Sequence, residues 1–387
     1  MKSFNLLTSV FLMTSFLHAY SAKAEVINGE VNQLEFNRSV IQSINSVAKK
    51  SSEGWISYQV KMEPNNGMPC CSQNGTKNIC ELDKRSNSWS IHSGQVEDSK
   101  VLNIYFKWKN NQPTDMFYAG SECTVDAGGQ SVLSLSTVTQ KQSIDFLKHN
   151  LSLDYDDRRG TVSSKSLAGI ALHHGELAHQ TLEKIANRSE DDQSQDAIFW
   201  LGEARNKAGY KSLLAILDDK ERALESREKA VFALSQNSYE GSINEIIQLA
   251  QHAKERDIQH KAIFWLADSK HPRAAEIISS ILNSDSDHEV KEKAVFGLHQ
   301  LNTDESWNVL INIAKGHQHQ EVREKAIFWL SQDKSRDAKS VLLDLVLNTN
   351  THSIKEKAVF ALSQLSEPQA TDALLEVLNS TGNRSIK

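Results

Sequence analysis

The sequence predicts a mainly α-helical protein, an α-solenoid of stacked helix pairs preceded by a small α+β domain. The motif EKAIFWLSQ at 324–332 recurs in close copies through the second half of the chain, and the copies are evenly spaced. A fixed period of this kind is typical of arrays in which each unit buries its apolar face against its neighbours. Alternating apolar and polar residues in the first part of the chain predict the preceding sheet.

The first residues are typical of a secretory signal peptide. Lys2 is followed by an apolar run at 4–17 and by the small residues Ala22 and Ala24, and this run is too short to span a bilayer. We therefore expect residues 1–24 to be removed on export, the mature protein to be periplasmic, and no membrane insertion. Without Lys2 and Lys23, 41 basic residues face 49 acidic ones, a net charge of −8 that argues against nucleic-acid binding.

Residues 25–152 are predicted to form the small α+β domain. A helical spacing of apolar residues predicts a helix over 33–49, and alternation predicts strands near 55–60, 101–108 and 132–138. A short closing helix is expected at 145–151. The polar stretch 153–163 is expected to be a linker, and 164–387 the solenoid.

All four cysteines lie in the predicted α+β domain. In an exported protein an even number of cysteines favours disulfides over a metal site, and three pairings are open for Cys70, Cys71, Cys80 and Cys123. A four-thiolate zinc site is disfavoured because no CxxC is present and adjacent cysteines do not easily ligate one tetrahedral ion. A strained Cys70–Cys71 bond suited to redox sensing is a further alternative.

The repeats are anchored by alanines spaced first by 33 and then by 32 residues. They are Ala197, Ala230, Ala262, Ala294, Ala326 and Ala358. A weaker copy around Ala168 fits a terminal cap, so six to seven repeats are expected, each a first helix that carries the motif and a second helix after a polar turn. With Val or Ile four residues before most of the alanines, these units resemble HEAT-like repeats. The resemblance implies an interaction scaffold, because HEAT arrays mostly bind other proteins, and it implies no particular activity.

The whole chain also resembles a group of exported bacterial HEAT-repeat proteins. The features shared with that group are the signal peptide, the vicinal Cys70–Cys71, the turn that follows Cys123 and the KAIFWLSQ-type repeats.

One phenylalanine per repeat faces away from the predicted core. On a helical wheel with the alanine at 0°, this residue falls at about 200°, opposite the helix that pairs with it. The phenylalanine row consists of Phe199, Phe232, Phe264, Phe296, Phe328 and Phe360. Aligned apolar rings on a surface mark a contact site for a protein partner. The alternative is that each ring packs sideways against the next repeat.

The residue after each of these phenylalanines alternates between a large and a small side chain. The positions hold Trp200, Ala233, Trp265, Gly297, Trp329 and Ala361, so the true unit is a pair of repeats. We expect the tryptophans to fill the core beside the small residues of neighbouring repeats. The lysines and arginines before the alanines are expected to form solvated pairs with glutamates between repeats.

No catalytic or cofactor-binding motif is recognised. His173, His174, His179 and Glu176 are the densest group of metal ligands, but no second histidine-rich segment completes a set, so no metal or cofactor is expected. Helical-repeat oxygenases carry His–Glu pairs in symmetric repeats, whereas here His288–Glu289 alone has that order. The favoured function is an exported scaffold that binds a protein through the solenoid. The competing function is an enzyme or redox sensor centred on the cysteine-bearing domain.

Overall fold

The computed structural model describes residues 24–34, 39–48, 52–64, 68–73, 76–77, 79–82, 89–92, 101–110, 112–152, 161–188, 191–284, 287–333 and 336–381. The chain divides into two compact units, Met1–Phe146 and Leu147–Lys387. The predicted signal peptide lies almost wholly outside the described residues, and so does most of the predicted linker. Export and the predicted domain bounds therefore stay predictions.

Among its described residues, the first unit contains three sheets and one complete helix, α1 (Val40–Ala48), together with the start of α2 (Gln140–Leu151). Its strands are β1 (Glu25–Ile27), β2 (Glu30–Leu34), β3 (Glu53–Lys61), β4 (Met68–Gln73), β5 (Thr76–Lys77), β6 (Ile79–Glu81), β7 (Trp89–His92), β8 (Val101–Lys109), β9 (Gln112–Gly120), β10 (Thr124–Asp126) and β11 (Ser131–Leu135). The central sheet has the order β2-β11-β3-β8-β9, with β11 parallel to both of its neighbours and the other pairs antiparallel. A parallel sheet has the order β1-β10-β6, and an antiparallel one β5-β4-β7.

The central sheet is buried on both faces, which explains the apolar side chains at consecutive positions of β3. Trp55 packs in a cluster with Tyr105, Cys80 and Val125, on the side of the parallel sheet. On the other face the Tyr58 hydroxyl lies 2.8 Å from the Ser143 hydroxyl of α2. A strand covered on both faces can bury every residue.

Two predicted helix boundaries in this unit are wrong. The first helix was expected from residue 33, but Gln33 and Leu34 pair with β11 as part of β2, and α1 begins after Ser39. The closing helix begins at Gln140 because Thr139 and Gln142 bond each other's backbone at its amino terminus. This Thr-x-x-Gln capping box is visible in the sequence.

The second unit is an α-solenoid of seven helix pairs in the part of the chain that the structure covers. The first helices are α3 (Val162–Leu172), α5 (Asp192–Ala204), α7 (Leu224–Gln236), α9 (Arg256–Asp268), α11 (His288–Leu301), α13 (Gln320–Gln332) and α15 (His352–Ser363). The second helices are α4 (Glu176–Ala186), α6 (Asn206–Asp218), α8 (Glu240–His252), α10 (Ala274–Leu282), α12 (Asp304–Gly316), α14 (Lys339–Asn348) and α16 (Gln369–Thr381). From α5 to α15 each first helix contacts the first helix of the next repeat. The predicted architecture, an α-solenoid preceded by a small α+β domain, is confirmed.

The repeat motif builds the core of this solenoid. All six anchoring alanines are fully buried, and the leucine four residues after each one is at most 1% exposed. At one crossing the backbones come very close, since a Cβ on Gly202 of α5 would lie 2.1 Å from the carbonyl oxygen of Ala233 in α7. Asn237 supports the same junction, because its side-chain amide donates to the carbonyl oxygens of Gly202 and Asn206.

Candidate functional site

The phenylalanine row lies along the first helices and is partly exposed. Phe264, Phe328 and Phe360 are exposed at 36%, 43% and 58% of their surface, and the other three members are half-buried. The row is therefore neither free in solvent nor fully packed between repeats.

The rings contact one another from repeat to repeat. Phe199 stacks on Phe232 with centroids 5.9 Å apart, and Phe264 stacks on Phe296 at 6.4 Å. Between these pairs the ring of Trp265 connects Phe232, at 4.6 Å, to Phe264, at 4.9 Å. Successive contacts join eight rings across five helices, and we call them the aromatic ladder: Trp200, Phe199, Phe232, Trp265, Phe264, Phe296, Trp329 and Phe328.

The prediction that the tryptophans fill the solenoid core is wrong. Trp200, Trp265 and Trp329 are half-buried, whereas the small residues at the equivalent positions, such as Ala233, are buried. Each indole contacts the phenylalanine that precedes it in its own helix. Trp265 and Trp329 also contact the phenylalanine of the first helix of the preceding repeat. The large residues of the alternation therefore lie at the surface of the solenoid and not in its core.

The charged positions before the alanines have two different roles. Lys261, Lys325 and Lys357 pair with a glutamate of the preceding first helix, at 3.2, 3.0 and 3.8 Å, as predicted for pairs between repeats. The position two residues earlier behaves differently, because Arg227 and Lys291 are buried and therefore not solvated as predicted. Arg227 still forms an ion pair with Glu255 of the next repeat, at 2.5 Å, so the predicted pairing between repeats holds there.

In two other repeats the residue at this position caps a helix. At the same place in their repeats, Gln259 donates to the carbonyl oxygen of Ala250 and Arg323 to that of Ala314, each at 3.0 Å. Both carbonyls lie near the carboxyl end of the preceding second helix, where helices leave acceptors unsatisfied. The long polar side chains at this position therefore stabilise the solenoid.

A groove of about 500 Å³ lies beside the first half of the aromatic ladder. Its lining combines two ladder rings with polar and charged side chains. The lining residues are Asp192, Gln195, Asp196, Glu225, Glu228, Lys229, Phe232, Lys261 and Trp265. Four carboxylates and two ammonium groups give this lining a formal charge of −2. We call it the acidic groove.

Sequence reasoning missed the acidic groove, although the signal was present. On the wheel used for the phenylalanine row, Asp192 and Glu225 each stand five residues before an alanine and fall at about 220°, on the same face as the phenylalanines. Acids from α5 and α7 are therefore placed beside the rings by the helical period itself.

The predicted disulfide residues are only partly described. Cys80 of β6 and Cys123 are disulfide-bonded and at most 1% exposed, within the cluster that contains Trp55. The side chains of Cys70 and Cys71 lie outside the described residues, so the pairing stays a prediction.

The histidine group at the start of the solenoid is dispersed. His173 is fully buried, its ring Nδ1 lies 2.6 Å from the Gly169 carbonyl oxygen, and burial lowers its pKa to about 4. His179 Nε2 lies 3.3 Å from the Ser212 hydroxyl, which also bonds Glu183 at 2.7 Å. The Glu183 carboxylate bonds the Ser212 hydroxyl and not His179 Nδ1. Ser212, His179 and Glu183 therefore do not form a catalytic triad, in which the acid orients the histidine and the histidine acts as base for the serine.

Across the described residues, no three His, Cys, Asp or Glu side chains are placed to hold a metal ion. No helix in the same residues combines the length and the apolar composition that crossing a membrane requires.

Comparison with known proteins identifies the class of repeat. The family model of HEAT repeats matches residues 210–299 and 307–387, so this part of the solenoid carries HEAT repeats. The matched residues run from within α6 to the end of the chain. The comparison with curated protein sequences finds no match.

Solved structures resemble the chain only distantly. Human deoxyhypusine hydroxylase is 14% identical over 63% of this chain and 94% of its own, with a TM-score of 0.28. The CpcE and CpcF complex of a phycocyanin lyase from Nostoc is 16% identical over 54% and 96%, with a TM-score of 0.25. The Escherichia coli protein YibA is 18% identical over 64% and 90%, with a TM-score of 0.34. At these values the three structures say nothing about the function of this chain.

Proposed function

We propose that this protein is an exported, periplasmic scaffold that binds a protein partner through the aromatic ladder of its HEAT-repeat solenoid. The observation that carries the proposal is the continuity of eight rings over five helices, of which Phe264 and Phe328 are exposed and the other six are half-buried. Protein contact sites are enriched in aromatic side chains, and rings already held by their neighbours lose little entropy on binding.

The export part of the proposal is supported by the signal-peptide pattern and by the disulfide-bonded Cys80 and Cys123. Disulfides persist in oxidising compartments such as the periplasm. Fusion of the full chain to a reporter that folds only after disulfide formation tests export. An active reporter is expected, and an active reporter from a chain lacking residues 1–24 would contradict it.

The competing function, an enzyme or redox sensor in the first unit, has less support. A redox-sensing cysteine must be accessible to an oxidant or to a second thiol. Cys80 and Cys123 are both buried among apolar side chains, and the side chains of the vicinal Cys70 and Cys71, on which the redox alternative depends, lie outside the described residues. We therefore favour the scaffold.

The test compares two full-length variants that lose similar amounts of exposed apolar surface. In the first, Phe264→Ser and Phe328→Ser interrupt the aromatic ladder at positions exposed by 36% and 43%. In the control, Leu177→Ser and Leu347→Ser remove side chains exposed by 40% and 39% on second helices. Partners captured from periplasmic extract and identified by mass spectrometry should be lost by the first variant and kept by the control. Equal retention by both, at unchanged helicity, would refute the role of the ladder.

A further inference from the structure

We infer that the aromatic ladder receives a basic segment of its partner, and that an arginine or lysine side chain of that segment lies in the acidic groove against Phe232 and Trp265. This inference rests on the proposed function, because it specifies the chemistry of the protein that the ladder binds. It is carried by the charge around the rings, by the partial exposure of the Trp265 ring and by an internal comparison with the equivalent residues one pair of repeats later.

The acidic groove contains more carboxylates than cations. Glu228 pairs with Lys261 at 3.2 Å, but Asp192 and Glu225 are exposed and have no ion-pair partner among the described residues. Both lie at the start of their helices, α5 and α7, and face the same groove. A cationic side chain entering here would therefore meet acids that no internal cation neutralises.

The rings of the groove suit a cation as well. The Lys229 ammonium already lies 5.4 Å from the centre of the Phe232 ring, which is the distance of a cation–π contact. The larger ring of Trp265 is half-buried, and no cation lies over it within the described residues. Indole gives the strongest cation–π attraction of the aromatic side chains, and arginine is the commonest partner.

The same rings recur one pair of repeats later, and we call the residues equivalent to the groove lining the second groove. Counted from the anchoring alanines, Phe232 corresponds to Phe296 and Trp265 to Trp329, and these two rings are again in contact, at 5.0 Å. The carboxylates Glu225 and Glu228 become Glu289 and Glu292. The two grooves therefore share their rings and their conserved pair of glutamates.

The two grooves differ in the charges of the earlier helix, α5 or α9. Counted from Ala197 and Ala262, Asp192 corresponds to Asp257 and Asp196 to Lys261, so the formal charge of the equivalent lining changes from −2 to 0 with the histidine neutral. Asp191, which is next to the lining of the first groove, corresponds to Arg256. Arg256 binds Asp287 at 2.7 Å and Glu289 at 3.4 Å. An internal guanidinium thus reaches, in the second groove, the glutamate that corresponds to the unpaired Glu225 of the first. The first groove offers the same place to a guanidinium from another chain.

The test uses a short capped oligoarginine peptide as the probe and the full-length protein. Calorimetry is expected to show one bound peptide per chain, with affinity that falls as salt is raised. Asp192→Arg places a guanidinium in the lining that contains the unpaired Glu225 and should weaken binding about tenfold. Glu305→Arg makes the same charge change on α12, where Glu305 is exposed and unpaired among the described residues, and should weaken it less than twofold.

Removal of the internal arginine should create a site. Arg256→Asp leaves Glu289 without its internal cation and introduces the acid that Asp191 provides at the equivalent position of α5, so a second peptide is expected to bind per chain. Because Arg256 also supports Asp287 at the start of α11, the helicity of this variant must match that of the wild type. Asp192→Asn combined with Glu225→Gln, which removes charge without adding bulk, provides the independent variant and should also weaken binding.

The inference is overturned if Asp192→Arg and Glu305→Arg weaken the peptide equally, or if neither weakens it. That result leaves the proposed function standing, provided that Phe264→Ser with Phe328→Ser still abolishes partner capture. If the partner is retained by that ladder variant while the peptide still requires Asp192, the groove binds basic segments and the ladder is not the scaffold surface.

Discussion

Substitution of Gly202 by alanine provides the sharpest test of the packing between first helices. The added Cβ would lie 2.1 Å from the carbonyl oxygen of Ala233 and 2.9 Å from its Cα. Both atoms belong to the backbone of α7, so no side-chain rotation can relieve the contact. Helices α5 and α7 must move apart by about 1 Å, and overpacking of this kind costs about 3 kcal/mol.

Part of that cost is offset, because alanine favours a helix over glycine by about 1 kcal/mol. The net loss of about 2 kcal/mol should lower the melting temperature of the solenoid by about 4 to 8 °C, as followed by circular dichroism. Gly316 is the matched control: it also lies in a helix, α12, but a Cβ there would meet nothing within 4 Å. Gly316→Ala should therefore leave the melting temperature unchanged or raise it slightly. Equal melting of the Gly202→Ala variant and the wild type would refute the close approach.

Three further predictions follow from the packing and titration of the solenoid. Trp265→Ala should lower the free energy of unfolding, measured in urea, by about 2 kcal/mol, which is less than the loss expected when a fully buried tryptophan is removed. Trp265→Phe should lower it by about half as much. Asn237→Ala should lower it by about 3 kcal/mol because the buried amide bonds two carbonyl oxygens, whereas the exposed Asn348→Ala should cost about 0.5 kcal/mol. His173 has a pKa of about 4 in the folded protein, below its value of about 6.5 in the unfolded chain. Between pH 4 and pH 6.5 the unfolded chain therefore binds more protons than the folded one. The free energy of unfolding should rise with pH over this range and then level off. Urea unfolding at several pH values should show a smaller rise in His173→Gln, and an equal rise would contradict the assignment.

The sequence was sufficient for the solenoid because its information is local and repeated. The helical period places the alanines, leucines and phenylalanines of each first helix, and seven similar units reinforce one another. The wheel also placed the phenylalanine row on the outer face correctly. It misjudged Trp265 because the wheel shows one helix, whereas the contact that holds this indole at the surface comes from Phe232 of the preceding repeat.

The first unit was harder to predict because its pairing is not local. The parallel contacts of β2 with β11 join residues about one hundred positions apart, and they draw Gln33 and Leu34 out of the expected helix. Strand β9 lacks a strong alternation and was missed. The charge of the groove was readable, but it required comparison of equivalent positions in different repeats, where Asp196 and Lys261 differ.

The ring contacts of the aromatic ladder also bear on the mechanics of the solenoid. Each repeat touches only its neighbours, so the curvature of such an array is the sum of small angles between adjacent repeats. The rings lie where adjacent first helices meet, and a side chain inserted between Phe264 and Phe296, now 6.4 Å apart, would open that angle. Binding at one pair of rings would then bend the solenoid locally, and the ends of the array would swing through a distance that grows with the number of repeats beyond the bound pair.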